Sequence, residues 1–291
     1  MMSVSVLNFE EKWEKTKSYI QLFSNGKVNL PSSSKIGDIN FKSKKCDMNF
    51  YNDGKRRHLV VKFKNLANKK DFDCDMYLDE TINDSMVIAT PFKKDKHFYY
   101  NQKINCLKAS GYFKFGEEIY SMDDCFGVLD WGRGVWTYKN TWYWSSLSSL
   151  HNGKKIGFNL GYGFGDTRNA TENMIFYDGK AYKVEQVTFH IPQTEDGKDD
   201  YLKEWKFTSS DNKINLTFKP IFDRYDNANV IIIKSLQHQV FGKFSGTIRV
   251  DEEVIEIKDL VGNSIIVPMD AICHNKWNPT IAMMSKTYKS V

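Results

Sequence analysis

The sequence has little proline, few cysteines and no strong excess of charge of either sign. Only six prolines occur among 291 residues, so the chain is neither a Pro-rich linker nor a collagen-like polymer. No two of the five cysteines stand at Cys-x-x-Cys spacing, and this argues against a zinc site or a disulfide framework. We therefore predict free thiols, no metal, no other cofactor and a reducing, cytoplasmic location.

The charge and hydropathy patterns exclude two kinds of partner. The net charge of +5 is spread along the chain, and Asp47 and Asp53 interrupt the densest basic stretch, between Lys42 and Arg57. A nucleic-acid surface usually has a stronger basic face, so we expect no nucleic-acid partner. No run approaches the roughly 18 apolar residues of a membrane helix. Residues 1–22 contain no apolar signal core, so we expect neither a membrane span nor a secretory signal.

Common catalytic motifs are also missing. None of the six histidines stands at His-x-x-His or His-Glu-x-x-His spacing, so the sequence offers no histidine-based metal motif. Walker A and Gly-x-Ser-x-Gly motifs are absent. The glycines of residues 157–166 follow a Gly-x-Gly-x-Gly pattern without a surrounding βαβ pattern, which does not fit a dinucleotide fold. His238 is interpreted as a hydrogen-bonded structural histidine, with catalysis as the alternative.

Aromatic residues are the prominent positive feature. They make up 14% of the chain, and four of the seven tryptophans lie within residues 131–144. If residues 142–144 are extended, Trp142 and Trp144 share one face of a strand. The indoles either fill a core or line a cavity for an apolar or ring-shaped ligand. The sequence leaves both interpretations open.

Alternation predicts an all-β, mainly antiparallel fold from about residue 36. Apolar and polar residues alternate over residues 71–78 and again over 244–250, and Gly-containing turn dipeptides separate such runs. Many short strands with regular turns are typical of a sandwich or barrel. A short N-terminal helix is predicted over residues 9–23, with Asn8 as its cap and Glu11 completing a capping box.

Asp130 and Arg133 are charged residues set among the tryptophans. A buried charge is costly unless it is paired, so the two either pair with each other or with nearby carboxylates. Alternatively, Asp130 is a proton donor or acceptor. Glu172 is the second candidate carboxylate, and together with Asp130 it suggests a carboxylate-pair hydrolase.

The glycine-rich segment that follows also predicts a close contact. Because alternate residues of a strand share a face, Gly157, Asn159 and Gly161 lie on one face. A strand face rich in glycine indicates the close approach of a bulky group, either the tryptophans or a ligand. The polar side chains of residues 171–173 then either orient a ligand or cap a turn.

Seven segments occur in an order that resembles the DUF2804 family, a group of uncharacterised proteins. The resemblance covers roughly residues 80–277, and Asp-Trp-Gly-Arg-Gly-x-Trp followed by Thr-Glu-Asn is its most specific combination. The segments are Asp130–Trp136, Trp142–Trp144, Ile156–Gly161, Thr171–Asn173, Phe218–Pro220 with Arg224, Gln239–Gly242 and Asn275–Trp277.

The resemblance implies an architecture more than an activity. DUF2804 proteins are more distantly similar to calycin-like proteins, including carotenoid hydratase and lipocalin-like cyclase groups, which use paired β-barrel domains around apolar ligands. It implies two lipocalin-like β-barrel or sandwich halves, at 36–150 and 151–291, after an N-terminal segment at 1–35. The chain departs from the family pattern after Gly262, where Asn263–Pro268 replace an expected aromatic residue and glutamate, and its N-terminal stretch lacks a tryptophan-rich strand.

We therefore predict a protein that binds an apolar small molecule, such as a lipid or terpenoid. Acid–base isomerase, hydratase or cyclase activity would use Asp130 as the acid and Arg133 as its partner. A carbohydrate hydrolase using Asp130 and Glu172, and a structural protein without catalysis, are the alternatives. The predicted ligand-binding residues are Trp131, Trp136, Trp142, Trp144, Tyr162, Asn173 and Gln239.

Overall fold

The computed structural model describes residues 2–6, 19–23, 38–67, 69–80, 84–137, 139–230, 233–270 and 280–284. These residues contain no helix, and their strands form two nine-stranded antiparallel sheets and one separate antiparallel pair. This confirms the all-β, antiparallel prediction. In the same part of the chain no helix is long and apolar enough to cross a membrane.

The separate pair joins β1 (Met2–Val6) to β2 (Tyr19–Phe23). The helix predicted over residues 9–23 is therefore wrong at its C-terminal end. Aromatic and β-branched residues in Tyr19–Phe23 favour an extended strand, and this preference prevails there over the helical spacing. The remainder of the predicted helix lies outside the described residues.

The first sheet is built around one long strand. β8 is 18 residues long; its first part pairs with β10 and β7, and its second part pairs with β6 and β9. The strands, numbered in chain order, are β3 (Ile39–Lys42), β4 (Cys46–Asn52), β5 (Arg56–Ala67), β6 (Lys70–Asp79), β7 (Met86–Pro91), β8 (Phe98–Phe115), β9 (Glu118–Ser121), β10 (Phe126–Val135) and β20 (Thr280–Met284).

The second sheet curls into a half-barrel. β12 and β15 stand far apart in the order β14-β13-β12-β11-β19-β18-β17-β16-β15, yet they contact each other. The strands are β11 (Lys139–His151), β12 (Lys154–Tyr162), β13 (Met174–Tyr177), β14 (Lys180–Lys183), β15 (Val187–His190), β16 (Trp205–Ser209), β17 (Ile214–Val230), β18 (Ile233–Val250) and β19 (Glu253–Asp270).

The side of the second sheet on which the curl closes is called here the interior face. Alternate residues of its strands, among them Phe158, Phe218 and Phe244, are fully buried there in one apolar cluster. The Phe158 and Phe244 rings meet edge to face with centroids 5.0 Å apart. Fully burying each such side chain contributes about 1.5–3 kcal/mol, so this core is a main source of stability.

The opposite side of the second sheet packs against β8, and this side together with the surface of β8 that it covers is called here the inter-sheet face. β8 bulges at Cys106, a non-glycine residue with φ of 60°, where its register with β10 also shifts. Because a bulge turns two successive residues to one side, Asn105 and Cys106 both reach the second sheet. The Nδ2 of Asn105 donates to Ser146 Oγ at 2.9 Å, and the backbone N–H of Cys106 donates to Ser148 Oγ at 3.0 Å.

The chain passes from one sheet to the other between Val135 and Lys139. Strand β11, which the sequence analysis placed in the first half of the chain, therefore belongs to the second sheet. β20 returns to the first sheet and pairs with β10. The division into domains at residues 150 and 151 stays a prediction.

The four cysteines in the described residues, Cys46, Cys74, Cys106 and Cys125, are buried. Burial raises the pKa of the Cys74 and Cys106 thiols to about 12. Since the thiolate is the nucleophilic form, these two thiols are chemically quiet at neutral pH. The fifth, Cys273, lies outside the described residues.

Candidate functional site

A lysine at the middle of β8 is the centre of the inter-sheet face. Lys103 pairs across the strands with Asp130 of β10, and its Nζ lies 2.6 Å from Asp130 Oδ1. The same Nζ lies 3.7 Å from Glu172 Oε2, which the second sheet supplies. The Lys103 side chain is only 4% exposed. The structure thus brings the two carboxylates that the sequence singled out to one buried ammonium.

A tryptophan and an asparagine extend this cluster. Lys103 Nζ lies 5.0 Å from the centre of the Trp144 ring, within the range of a cation–π contact. The indole N–H of Trp144 donates to Asn159 Oδ1 at 2.6 Å, and Asn159 Nδ2 donates to the backbone carbonyl of Glu172 at 2.9 Å. Trp144 and Glu172 are therefore held by the same amide side chain.

The Thr-Glu-Asn motif places Glu172 by fixing the residues on either side of it. Thr171 Oγ1 donates to the Val184 carbonyl at 3.0 Å. Asn173 Oδ1 accepts the Gly161 N–H at 2.6 Å, and its Nδ2 donates to the Glu185 carbonyl at 2.7 Å. Both atoms of the buried Asn173 amide are thus used within the protein. The ligand contact of Asn173 stays a prediction, and these bonds do not support it.

Glycine is required where Glu172 meets β12. A Cβ on Gly161 would lie 2.5 Å from Glu172 Oε1 and 2.9 Å from the Tyr143 carbonyl oxygen. A Cβ on Gly157 would lie 2.7 Å from Cys106 Sγ. The bulky groups that approach the glycine face are therefore a carboxylate and a cysteine. The glycine pattern had predicted a close approach here, by either the tryptophans or a ligand.

An aromatic cluster borders the charged groups. Phe164 is its centre: its ring lies 4.7 Å from Tyr99, 5.4 Å from Trp136 and 5.2 Å from Trp142, in each case edge to face. The pKa of Tyr99 is raised well above its usual value by burial and by the negative charges of Asp130 and Glu172. The rings and the two carboxylates are thus close enough to interact electrostatically.

The remaining tryptophan of the central motif lies elsewhere. Trp131 is buried in the core of the first sheet, where it meets Tyr100 edge to face at 5.9 Å. Residues 130 and 131 are neighbours on one strand and point to opposite sides. Trp131 therefore does not line the same surface as Trp144.

Arg133 is not the partner of Asp130. It lies three residues further along β10 and so on the opposite face. It is exposed, with its guanidinium 5.8 Å from the rings of both Tyr100 and Trp131. The predicted pairing of Asp130 with Arg133 is thus wrong, because residues three apart in a strand point to opposite faces. The ion-pair partner of Asp130 is Lys103.

Two predicted ligand-binding residues also lie away from Lys103. Tyr162 is on the interior face, where its ring stacks on Tyr143 at 4.6 Å and burial raises its pKa to about 12. Gln239 is on the inter-sheet face, but two strands from Trp144, and its Oε1 accepts a hydrogen bond from Arg224 Nη1 at 2.7 Å. Neither contacts the Lys103 cluster through these bonds.

Several buried amides on the inter-sheet face have polar atoms without a hydrogen-bond partner among the described residues. They are Asn101 Oδ1, Asn105 Oδ1 and both side-chain polar atoms of Asn263, which is 1% exposed. Asn263 stands beside Ser146 in the register, and it begins the segment where the chain departs from the family pattern. Each buried unsatisfied group costs about 1–3 kcal/mol, so a polar molecule bound here would stabilise this face.

Sequence reasoning missed Lys103, Asn101 and Asn105. Asn101 Nδ2 donates to Glu172 Oε2 at 3.2 Å, so it belongs to the same cluster. The alternation of residues 99–105 is visible in the sequence, but its polar side is typical of a strand face in water.

Among the described residues, no three His, Cys, Asp or Glu side chains are grouped to hold a metal ion.

One known protein family matches most of this chain. The family described as "Domain of unknown function (DUF2804)" matches residues 1–264. The chain belongs to this family. The match extends further toward the N-terminus than the segments that first indicated it, and it includes Lys103, Asp130, Trp144 and Glu172. No curated protein and no solved structure matches this DUF2804 protein. Its relationship to calycin-like proteins and its cytoplasmic location stay predictions.

Proposed function

We propose that this DUF2804 protein binds a small molecule between its two sheets and carries out acid–base chemistry on it at Lys103, Asp130 and Glu172. The observation that carries the proposal is the single buried ammonium in contact with two carboxylates. The proposed reaction class is isomerisation, hydration or cyclisation of a lipid-like or terpenoid-like molecule.

The charged cluster itself favours a functional role. Moving three charges out of water is expensive, and replacement of buried ion pairs by apolar residues is often neutral or stabilising. Charged groups gathered in an apolar setting are therefore candidates for catalysis. Here three such groups lie together beside Trp144, in a protein whose buried positions are mainly apolar.

The surroundings of the cluster suggest the chemical class of the ligand. The rings around Phe164 suit an apolar body. The amide atoms of Asn105 and Asn263 that have no partner among the described residues suit an uncharged polar end group, such as a carbonyl or hydroxyl, which could form hydrogen bonds with them. We therefore infer an amphiphilic ligand with an apolar body and a neutral polar end.

Each charged residue has a distinct role in this proposal. Asp130 transfers the proton, Lys103 balances the negative charge and positions both carboxylates, and Glu172 is the second acid–base group. The ring faces of Trp136 and Trp142 stabilise positive charge that develops on the apolar body. Trp144 positions Lys103. Arg133 has no part in this scheme.

The carbohydrate-hydrolase alternative has weaker support. In glycosidases the two carboxyl groups flank the scissile bond of the sugar. In this protein both approach one lysine ammonium instead, so a sugar would first have to displace Lys103. A purely structural role for the cluster is the remaining alternative, and the experiment below separates it from catalysis.

The test begins with native mass spectrometry of the protein purified from its own host. We expect a co-purifying molecule with an apolar body and a neutral polar end. This molecule is then incubated with the wild-type protein and with the Asp130→Asn and Asp79→Asn variants, and product formation is followed by mass spectrometry. Asp79 is the matched control because it forms an exposed ion pair with Arg56. Turnover by wild type and Asp79→Asn, but not by a folded Asp130→Asn, is the expected result. Absence of any bound molecule, or equal turnover by all three proteins, would contradict the proposal.

A further inference from the structure

A second group of polar and aromatic side chains lies on the interior face of the second sheet. We define the His238 cluster as Tyr201, Asp223, Tyr225 and His238. His238 Nδ1 lies 2.7 Å from Asp223 Oδ2, and both side chains are largely buried. The His238 ring lies 4.1 Å from the Tyr201 ring and 4.9 Å from the Tyr225 ring.

The contact with Asp223 decides which nitrogen of His238 is available. A carboxylate only accepts hydrogen bonds, so Nδ1 carries the proton and donates it to Asp223. In the neutral ring, Nε2 is then an acceptor, and it makes no hydrogen bond to any residue in the described part of the chain. This is the arrangement by which a carboxylate orients an imidazole to accept a proton from a hydroxyl group.

Asp223 provides an independent indication of a missing donor. Its Oδ1 is buried and has no hydrogen-bond partner among the described residues. An unsatisfied buried acceptor is costly. Two acceptors, Nε2 of His238 and Oδ1 of Asp223, therefore belong to one hydrogen-bonded pair of side chains, and neither has a donor within the described parts of the chain.

The rings of Tyr201 and Tyr225 border His238, and Tyr225 is exposed to water. Tyr201, on the connection between β15 and β16, donates its hydroxyl to Asp199 Oδ2 at 3.3 Å. Burial and the negative charges of Asp199 and Asp223 raise the pKa of Tyr201, so its hydroxyl stays protonated. Tyr225 is 54% exposed, and its ring lies next to that of His238. A flat molecule entering here would meet aromatic surfaces on its way to Nε2.

The His238 cluster is separate from the Lys103 site. In the register, Tyr225, His238, Ile266 and Tyr143 form one row across four strands on the interior face. Trp144 and Lys103 lie on the other side of the sheet. A ligand of one site cannot touch the other site through the intervening sheet.

We propose that the His238 cluster is a second binding site, and that it takes a small ring-bearing molecule whose hydroxyl group donates a hydrogen bond to Nε2 of His238. The ring of the ligand packs against Tyr201 and Tyr225. Asp223 holds the imidazole in the accepting tautomer. This inference does not depend on the function proposed for Lys103.

The test uses phenol as the probe and anisole, which has the same ring but no hydroxyl donor, as its control. Wild-type protein labelled with ¹⁵N-histidine is titrated at pH 8, and the imidazole nitrogens are observed by NMR; His238→Gln identifies the signal. The expected result is an unprotonated Nε2 of His238 that shifts saturably with phenol and does not respond to anisole. Asp130→Asn should leave this response unchanged, because it alters the other site.

An aromatic variant tests the walls of the same cluster. Tyr225→Ala should weaken phenol binding roughly threefold to tenfold, the range expected for one lost ring contact. Tyr112→Ala, which removes a similarly exposed tyrosine from the first sheet, should not change it. A protonated Nε2 without ligand, an equal response to anisole, or loss of the response in Asp130→Asn would overturn the proposal.

Discussion

Two rows of residues, each formed by residues paired across neighbouring strands of the second sheet, lie next to each other on opposite faces of the sheet. Each residue of one row is next in sequence to a residue of the other row, yet the two rows have different surroundings. The row on the inter-sheet face contains Gly161, Trp144, Ile265, Gln239 and Arg224, and its Trp144 contacts Lys103 of the first sheet. The row on the interior face is mostly aromatic and closes one end of the curled core; it contains Tyr162, Tyr143, Ile266, His238 and Tyr225.

The comparison teaches that this sheet is covered on both sides over its middle strands. Ser145 points to the interior face and Ser146 to the inter-sheet face, and neither is exposed to water. Each finds a hydrogen-bond partner on its own side: Ser145 Oγ donates to the Asn263 carbonyl, and Ser146 Oγ accepts from Asn105. The interior face thus carries the apolar core, whereas the inter-sheet face carries the ion pairs of Lys103. The following substitutions separate the contributions of the two faces to stability.

The largest expected effect is on the interior face. Phe158→Ala removes a fully buried ring from the core and should lower the free energy of unfolding by about 3–5 kcal/mol. Urea unfolding followed by circular dichroism measures it. Phe98→Ala, at a ring that is 43% exposed, is the control and should cost much less. A small loss in Phe158→Ala would show that this core is not closely packed.

A slightly smaller loss is expected on the inter-sheet face. Lys103→Met leaves two buried carboxylates without their counter-charge and should cost about 3 kcal/mol. Adding Asp130→Asn to the same chain should restore part of that loss, since it removes one of the uncompensated charges. Arg56→Met breaks an exposed pair with Asp79 and should cost about 0–1 kcal/mol. A double variant as unstable as the single one would contradict this account of Lys103.

Loss of the amide that joins Trp144 to Glu172 should have an intermediate effect. Asn159→Ala leaves the buried indole N–H without its acceptor and the Glu172 carbonyl without one donor. We expect a loss of about 1–3 kcal/mol, measured by urea unfolding, and a changed tryptophan fluorescence spectrum. Asn215→Ala, at an exposed position on β17, should change neither. An unchanged spectrum in Asn159→Ala would mean that this hydrogen bond does not hold the indole.

The smallest effect is expected at Arg133. Its side chain is exposed and lies on the opposite face of β10 from Asp130, so Arg133→Gln should change the free energy of unfolding by no more than about 0.5 kcal/mol. Turnover of any substrate found for the Lys103 site should also be unaffected. A loss as large as that of Lys103→Met would restore Arg133 as a partner of Asp130.

Part of the fold and of the site could be predicted from local patterns. Alternation indicates strands because side chains of an extended chain alternate between two sides, and this predicted the all-β fold correctly. Asp130, Glu172 and Trp144 stood out because charged groups, glycines and indoles occur close together in the sequence. The close approach at Gly161 was also predicted, because a missing side chain leaves room that a packed protein fills.

The sequence by itself therefore determined which residues share a side of a strand. Only the tertiary structure decided what covers each side. The period of two separates Asp130 from Arg133 and Trp144 from Tyr162, but it carries no information about the sheet that packs against them. Lys103 and Glu172 are 69 residues apart in sequence, and they meet because the curled sheet and β8 pack face to face. Contacts of this kind depend on the shape and burial of the whole sheet, so no local pattern around Lys103 indicates its two carboxylate partners.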